Sequence, residues 1–169
     1  VDTVETAECW ALALASAKTP SILVLTRQAL PTVRTTHTEE NRSARGAYVL
    51  AEASGARKAT LIATGSEVSI ATKAREMLET AGVPTAVVSM PCWSLFDAQP
   101  ESYRNQVLGS GVRVAIEAGV KQGWERYIGD KGAFIGMAGF GASAPAEALY
   151  KHFGITAEAT VSAVKARIG

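Results

Sequence analysis

From Gly46 onward, short apolar runs of strand length alternate with helical stretches, and this alternation restricts the chain to very few architectures. Residues 59–63 read as a strand, and residues 67–81 as an amphipathic helix ended by Gly82. Residues 84–90 form the next strand, followed by a helix around 101–108. A third strand covers 112–117, a short helix 122–128, and a fourth strand 133–137. Helices over 144–153 and 157–168 close the chain, while residues 48–50 can add one more strand at a sheet edge. Strands separated by helices demand right-handed crossovers. The expected fold class is therefore α/β: a three-layer helix–sheet–helix domain around a mostly parallel, mixed sheet of about five strands.

The residues before Gly46 follow a different pattern. Residues 4–17 carry Trp10, Leu12 and Leu14 among alanines, with Glu5 and Glu8 early, where a helix dipole favours carboxylates. Pro20 stops this helix, and residues 21–26 (Ser-Ile-Leu-Val-Leu-Thr) read as a buried strand. Residues 27–45 hold few apolar side chains and many Thr, Glu and Arg, as expected of a linker or surface-crossing loop. A domain boundary is placed there, dividing the chain into 1–45 and 46–169.

Composition excludes several functions. Hydrophobic residues make up 47% and charged residues 20%, with a formal charge of +1, so the chain lacks the basic footprint of a nucleic-acid binder. Its longest apolar runs, such as 22–25 and 112–116, fall far short of the roughly 20 residues that span a bilayer. Cys9 and Cys92 lie far apart without metal-ligand spacing, which fits two reduced thiols in a cytosolic protein. No signal peptide is expected, and opening on Val1 fits either a piece of a longer polypeptide or a processed start.

Candidate chemistry is sparse. Thr64-Gly65-Ser66-Glu67 joins a strand to a helix with capping-box spacing; the alternative, an anion site at the helix start, is opposed by the charge of Glu67. Arg27 stands just beyond the first strand, at the edge where ligands collect in parallel sheets, and its guanidinium suits phosphate. A surface or ion-paired arginine is the competing reading. Glu117 ends an apolar strand, either as an acid/base group or, preferably, as a structural or interface carboxylate. His37 and His152 are isolated. Trp93, Leu95 and Phe96 form a segment too aromatic for a solvated loop, suited to packing or to a subunit contact. These patterns alone yield an α/β domain with no nucleophile–base pair, metal cluster or glycine-rich phosphate cradle.

Six segments in register resemble the carboxyl-terminal end of the transketolase family. They are residues 2–10 (Asp-Thr-Val-Glu-Thr-Ala-Glu-Cys-Trp), 25–31 (Leu-Thr-Arg-Gln-Ala-Leu-Pro), 46–50 (Gly-Ala-Tyr-Val-Leu), 61–69 (Leu-Ile-Ala-Thr-Gly-Ser-Glu-Val-Ser), 88–97 (Val-Ser-Met-Pro-Cys-Trp-Ser-Leu-Phe-Asp) and 140–146 (Phe-Gly-Ala-Ser-Ala-Pro-Ala). The resemblance covers the whole chain. It implies a parent enzyme that transfers a two-carbon ketol unit from a ketose phosphate to an aldose phosphate. Such enzymes use thiamine diphosphate and a divalent cation, Mg²⁺ or Ca²⁺; the cofactor carries the hard chemistry while protein groups position the sugar.

The same resemblance implies a cytoplasmic homodimer serving the pentose phosphate pathway, the Calvin cycle or both, with no nucleic-acid or membrane partner. Residues 1–45 would be the tail of the pyrimidine-binding domain and its linker, and 46–169 the carboxyl-terminal domain, which supports the dimer away from the catalytic centre. Of the family's site residues only the arginine of the Ser/Thr-Arg-Gln motif has a match, Arg27, with a role in binding the sugar phosphate. Catalytic, cofactor-binding and metal-binding residues would lie outside this chain, and the chain alone is expected to be inactive. Alternatives are a non-catalytic dimerisation or ligand-binding module, or the same domain of a deoxyxylulose phosphate synthase or a 2-oxoacid dehydrogenase beta subunit.

Overall fold

The computed structural model describes residues 1–168. Five strands form one sheet: β1 (Tyr48–Ala51), β2 (Ala59–Ala63), β3 (Thr85–Ser89), β4 (Val112–Val120) and β5 (Ala133–Met137), in the order β1-β3-β2-β4-β5. All neighbours run parallel except β1, which pairs antiparallel with β3 at one edge. The α/β expectation is met, including the edge strand. β4 runs three residues further than expected because, past a register shift, Val120 still pairs with Met137 of β5.

Side chains alternate along each strand, and the sheet therefore builds two cores. Ala59, Leu61 and Ala63 of β2 pack with Val114 and Ile116 of β4 beneath α2 (Glu67–Thr80) and α7 (Ala157–Ile168), which contribute Val68, Leu78 and Val164. On the other face Ile62, Val88 and Ala115 pack against α3 (Trp93–Asp97), α4 (Glu101–Leu108) and α5 (Glu125–Ile128) through Phe96, Val107 and Tyr127. The aromatic run after Pro91 thus forms a short helix: Phe96 is fully buried, and Trp93 meets Trp124 edge-on at 5.1 Å between centroids. The helix α6 (Ala146–His152) begins only after Pro145, whose ring disfavours helical backbone at the residue before it.

The first 45 residues form an arm. Its helix α1 (Thr3–Ala15) is capped by Asp2, whose carboxylate accepts from Glu5 N at 3.0 Å. The same carboxylate accepts from the backbone N–H groups of Val33 and Arg34 at 3.2 and 2.9 Å, which draws the connector back across the helix. Arg34 donates both guanidinium nitrogens to Glu8 at 2.6 and 2.8 Å, and Ser43 adds N–H and O–H donors at 3.1 and 2.7 Å. The segment read as a linker is therefore a crossing loop with a buried anchor, and it ends in a 3-10 turn, Arg42–Arg45. Gly46 follows with φ +76°, and a Cβ there would lie 2.3 Å from Cys92 O and Phe96 N, a position that only glycine fills.

One expected element is corrected. Residues 21–26 form no strand, and Ile22 and Val24 are 90% and 92% exposed. A strand exists through its ladder of hydrogen bonds to a neighbour, and the described residues supply none beside this segment.

Burial works to raise the Glu8 carboxyl's pKa, but the bonds from Arg34 and Ser43 outweigh it and bring the group down to about 2. A depressed carboxyl contributes stability that is full above its ordinary value of 4.5 and is lost as pH falls through 2. Arg34→Leu should therefore cost about 3 kcal/mol in urea unfolding at neutral pH, by leaving a buried carboxylate unpaired, and the deficit should shrink as pH falls below 4.5.

Candidate functional site

The carboxyl edge of the parallel strands is where such sheets place ligands, and here it gathers oxygen-bearing side chains. Strand β2 ends at Ala63 and turns through Thr64, Gly65 and Ser66 into α2; Gly65 takes φ +53° to make the bend. Successive backbone bonds, Glu67 N to Thr64 O at 3.2 Å and Val68 N to Gly65 O at 3.4 Å, close the first turn. The expected capping box is not formed. Ser66 occupies the cap position without a side-chain bond to the backbone, and the Glu67 carboxylate turns sideways instead of back. Two hydroxyls draw it there: Ser66 Oγ donates to Glu67 Oε1 at 2.8 Å, and Tyr150 Oη, arriving from α6, donates to the same oxygen. Tyr150 Oη also lies 3.0 Å from Ser66 Oγ.

Glu67 is 4% exposed. Glu117, one strand over on β4, is partly buried and makes no side-chain hydrogen bond among the described residues. Burial, reinforced by the nearby charge of Glu67, pushes its carboxyl up to about 7. Burial, together with the bond to Glu67, pushes Tyr150 up to about 12. The cluster can take up and release a proton near neutrality, and no three His, Cys, Asp or Glu among the described residues converge to hold a metal.

Arg27 lies far from this cluster in the arm's sequence, exposed, just after the uncovered residues Ile22, Val24 and Leu25. Its neighbours Thr26 and Gln28 bond to each other, Thr26 Oγ1 donating to Gln28 Oε1 at 2.5 Å. Arg27 itself makes no hydrogen bond or ion pair among the described residues. His37 and His152 are both exposed, and His152 packs on Phe153 at 4.9 Å. Cys9 and Cys92 are free thiols.

A family model described as the transketolase-like TK C-terminal domain matches residues 46–156. The chain belongs to the transketolase family. Similar curated proteins include a transketolase of Cereibacter sphaeroides, 56% identical over 99% of this chain, and a chloroplastic transketolase of Solanum tuberosum, 50% identical over 95%. Among solved structures, transketolase from Leishmania mexicana superposes with a TM-score of 0.89 at 42% identity over 99% of this chain. The chain spans only about a quarter of these transketolases: 25%, 22% and 24% of their respective lengths. No helix among the described residues is long and apolar enough to cross a membrane.

Reasoning from sequence singled out Glu117 and Glu67 separately and missed that Tyr150 bonds to Glu67. Their spacing carries no such signal, since Tyr150 comes 83 residues after Glu67. It also missed the carboxylate pairings of Glu5 and Glu8. Their spacing with Asp2, three residues apart each time, places all three on one helix face and was the available clue.

A carboxyl with a raised folded pKa contributes stability that is present below its ordinary value of 4.5 and is lost as pH rises through about 7. Glu117→Gln removes that dependence. Relative to the parent chain, it should gain about 2 kcal/mol of stability on going from pH 5 to pH 8, a figure discounted for partial solvent screening and measured by urea unfolding at both pH values.

Proposed function

We propose that this chain is the carboxyl-terminal quarter of a transketolase that moves a two-carbon ketol unit from a ketose phosphate to an aldose phosphate. The reading is carried by the identity to transketolases, 56–57% in three bacterial relatives, sustained over at least 95% of the chain. In this reading residues 1–45 are the last helix, strand and connector of the pyrimidine-binding domain. Residues 46–169 are the third domain of a cytoplasmic homodimer. The uncovered apolar side chains of Ile22, Val24 and Leu25 then belong to a strand whose neighbours lie earlier in the polypeptide.

The parent would employ thiamine diphosphate and a divalent cation, Mg²⁺ or Ca²⁺. Among the described residues no three His, Cys, Asp or Glu converge to hold the cation. No step of the transfer is therefore assigned to them. What this chain supplies is Arg27. An exposed guanidinium with no carboxylate partner among the described residues can offer two parallel N–H donors to a sugar phosphate and hold the substrate's far end. The phosphate binds in both ground and transition state, so its loss appears mainly in KM.

Two measurements test the proposal. The purified chain, assayed for ketol transfer with thiamine diphosphate and Mg²⁺, should show no turnover; measurable activity refutes the assignment of the catalytic groups to other parts of the polypeptide. In the full-length protein, Arg27→Ala should raise KM for phosphorylated sugars roughly tenfold to a hundredfold, the loss of a charge-assisted pair. Unphosphorylated sugars should be affected much less, and equal effects on both refute the phosphate role.

A further inference from the structure

At the edge of the sheet opposite Glu117, where β4 begins, a cavity of about 230 Å³ opens between α4 and α5. Three arginines line it: Arg104 from α4, Arg113 from the start of β4 and Arg126 from α5. Asn105 and Tyr127 complete the polar wall, and Glu101 is the single carboxylate in the lining. Asp97 pairs with Arg126 at 3.0 Å, but among the described residues neither Arg104 nor Arg113 has a carboxylate within ion-pair distance. Even with Glu101 and Asp97 counted, positive charge exceeds negative here.

Arg113 is the most constrained of the three. Its Nε and Nη2 donate to Gly109 O at 3.1 and 2.6 Å, and its Nη1 donates to Tyr127 O at 3.1 Å. A guanidinium carries five N–H groups, so two remain, one on each terminal nitrogen. Those neutral carbonyls fix the orientation of the fork without cancelling its charge. Burial pushes the Arg113 pKa down, as befits a cation lacking a counter-ion. On the same sheet face its register partner Thr60 keeps a fully buried Oγ1 that has no hydrogen-bond partner among the described residues. Arg126 is held over the Trp93 and Tyr127 rings at 5.2 and 4.8 Å, which steadies it at the rim. Arg104 has only a 3.4 Å contact to Asp97 O.

We propose that this cavity binds a phosphate-type anion, either free inorganic phosphate or the phosphate group of a small phosphorylated metabolite, with Arg113 and Arg104 as direct ligands and Arg126 at the entrance. A tetrahedral anion with several acceptor oxygens matches converging guanidinium forks better than a planar carboxylate, which a single fork satisfies. The volume exceeds the roughly 30 Å³ share of one water several times over, leaving room for more than a bare ion. The site is separate from Arg27 and stands whether or not that residue contacts substrate.

The test is a titration of the 169-residue chain, labelled for amide NMR, with inorganic phosphate and separately with glycerol phosphate at constant ionic strength. Amides of Gly109, Arg113 and Tyr127 should shift with a common saturable curve in the millimolar range or below. Arg104→Gln and Arg126→Gln should each weaken binding about fivefold or more, and Arg27→Gln should leave it unchanged. Tighter binding of the ester assigns the site to a phosphorylated metabolite, and equal affinity assigns it to free phosphate. Arg113→Gln should abolish binding; if that variant fails to fold, the two more accessible arginines decide. Shifts that sodium chloride reproduces, or binding untouched in the Arg104→Gln/Arg126→Gln double variant, overturn the proposal.

Discussion

Glu5 is a carboxylate in the first turns of α1 with 3% of its surface in contact with solvent. An anion so placed survives only on the donors around it, because withdrawing a charge from water costs several kcal/mol. Tyr48 Oη gives it a bond of 2.9 Å from β1, and Ser89 Oγ one of 2.5 Å from the end of β3. Both donors belong to the antiparallel edge of the sheet, so this carboxylate bolts the arm onto the domain. Glu8, one turn on, performs the same service within the arm through Arg34 and Ser43. Without these two carboxylates little would fix the direction of α1. Its outward side chains, Leu14 at 78% and Trp10 at 48% exposed, gain nothing from docking on this sheet.

The alternating strands and helices beyond Gly46 were legible because each is punctuated locally. Gly82 stops α2 with φ +74°, the strand runs are apolar on both faces, and Pro100 and Pro145 precede α4 and α6. Strand 21–26 misled for an instructive reason. Its apolar run reports what the segment is suited to bury, whereas strand structure needs a neighbour that local pattern does not reveal. The site was harder to see. Arg27 and Glu117 stood out by position, yet the partners that define each environment come from distant segments. Tyr150 reaches Glu67 across the fold, and Arg34, buried inside a stretch that reads as solvent-loving throughout, gave no local hint of its ion pair.

The sheet carries opposite chemistry at its two ends. At the carboxyl edge, Glu67 and Glu117 sit beside Tyr150, and burial, reinforced by the charge of Glu67, raises the proton affinity of Glu117. At the amino edge, around the start of β4, guanidinium groups crowd instead, and backbone carbonyls of Gly109 and Tyr127 orient that of Arg113. Membership of the transketolase family accounts for the frame on which both clusters are mounted. The clusters themselves follow from which side chains happen to sit where strands enter and leave that frame.

The 84 residues separating Glu5 from Ser89 carry a kinetic implication. The hydroxyls that receive α1 do not exist as a pair until β1 and β3 lie side by side, so the arm can dock through Glu5 only once that edge of the sheet has formed. The arm can therefore come away while the sheet stays paired, and protection of its amides from exchange should be weaker than that of β2 and β4 at the centre.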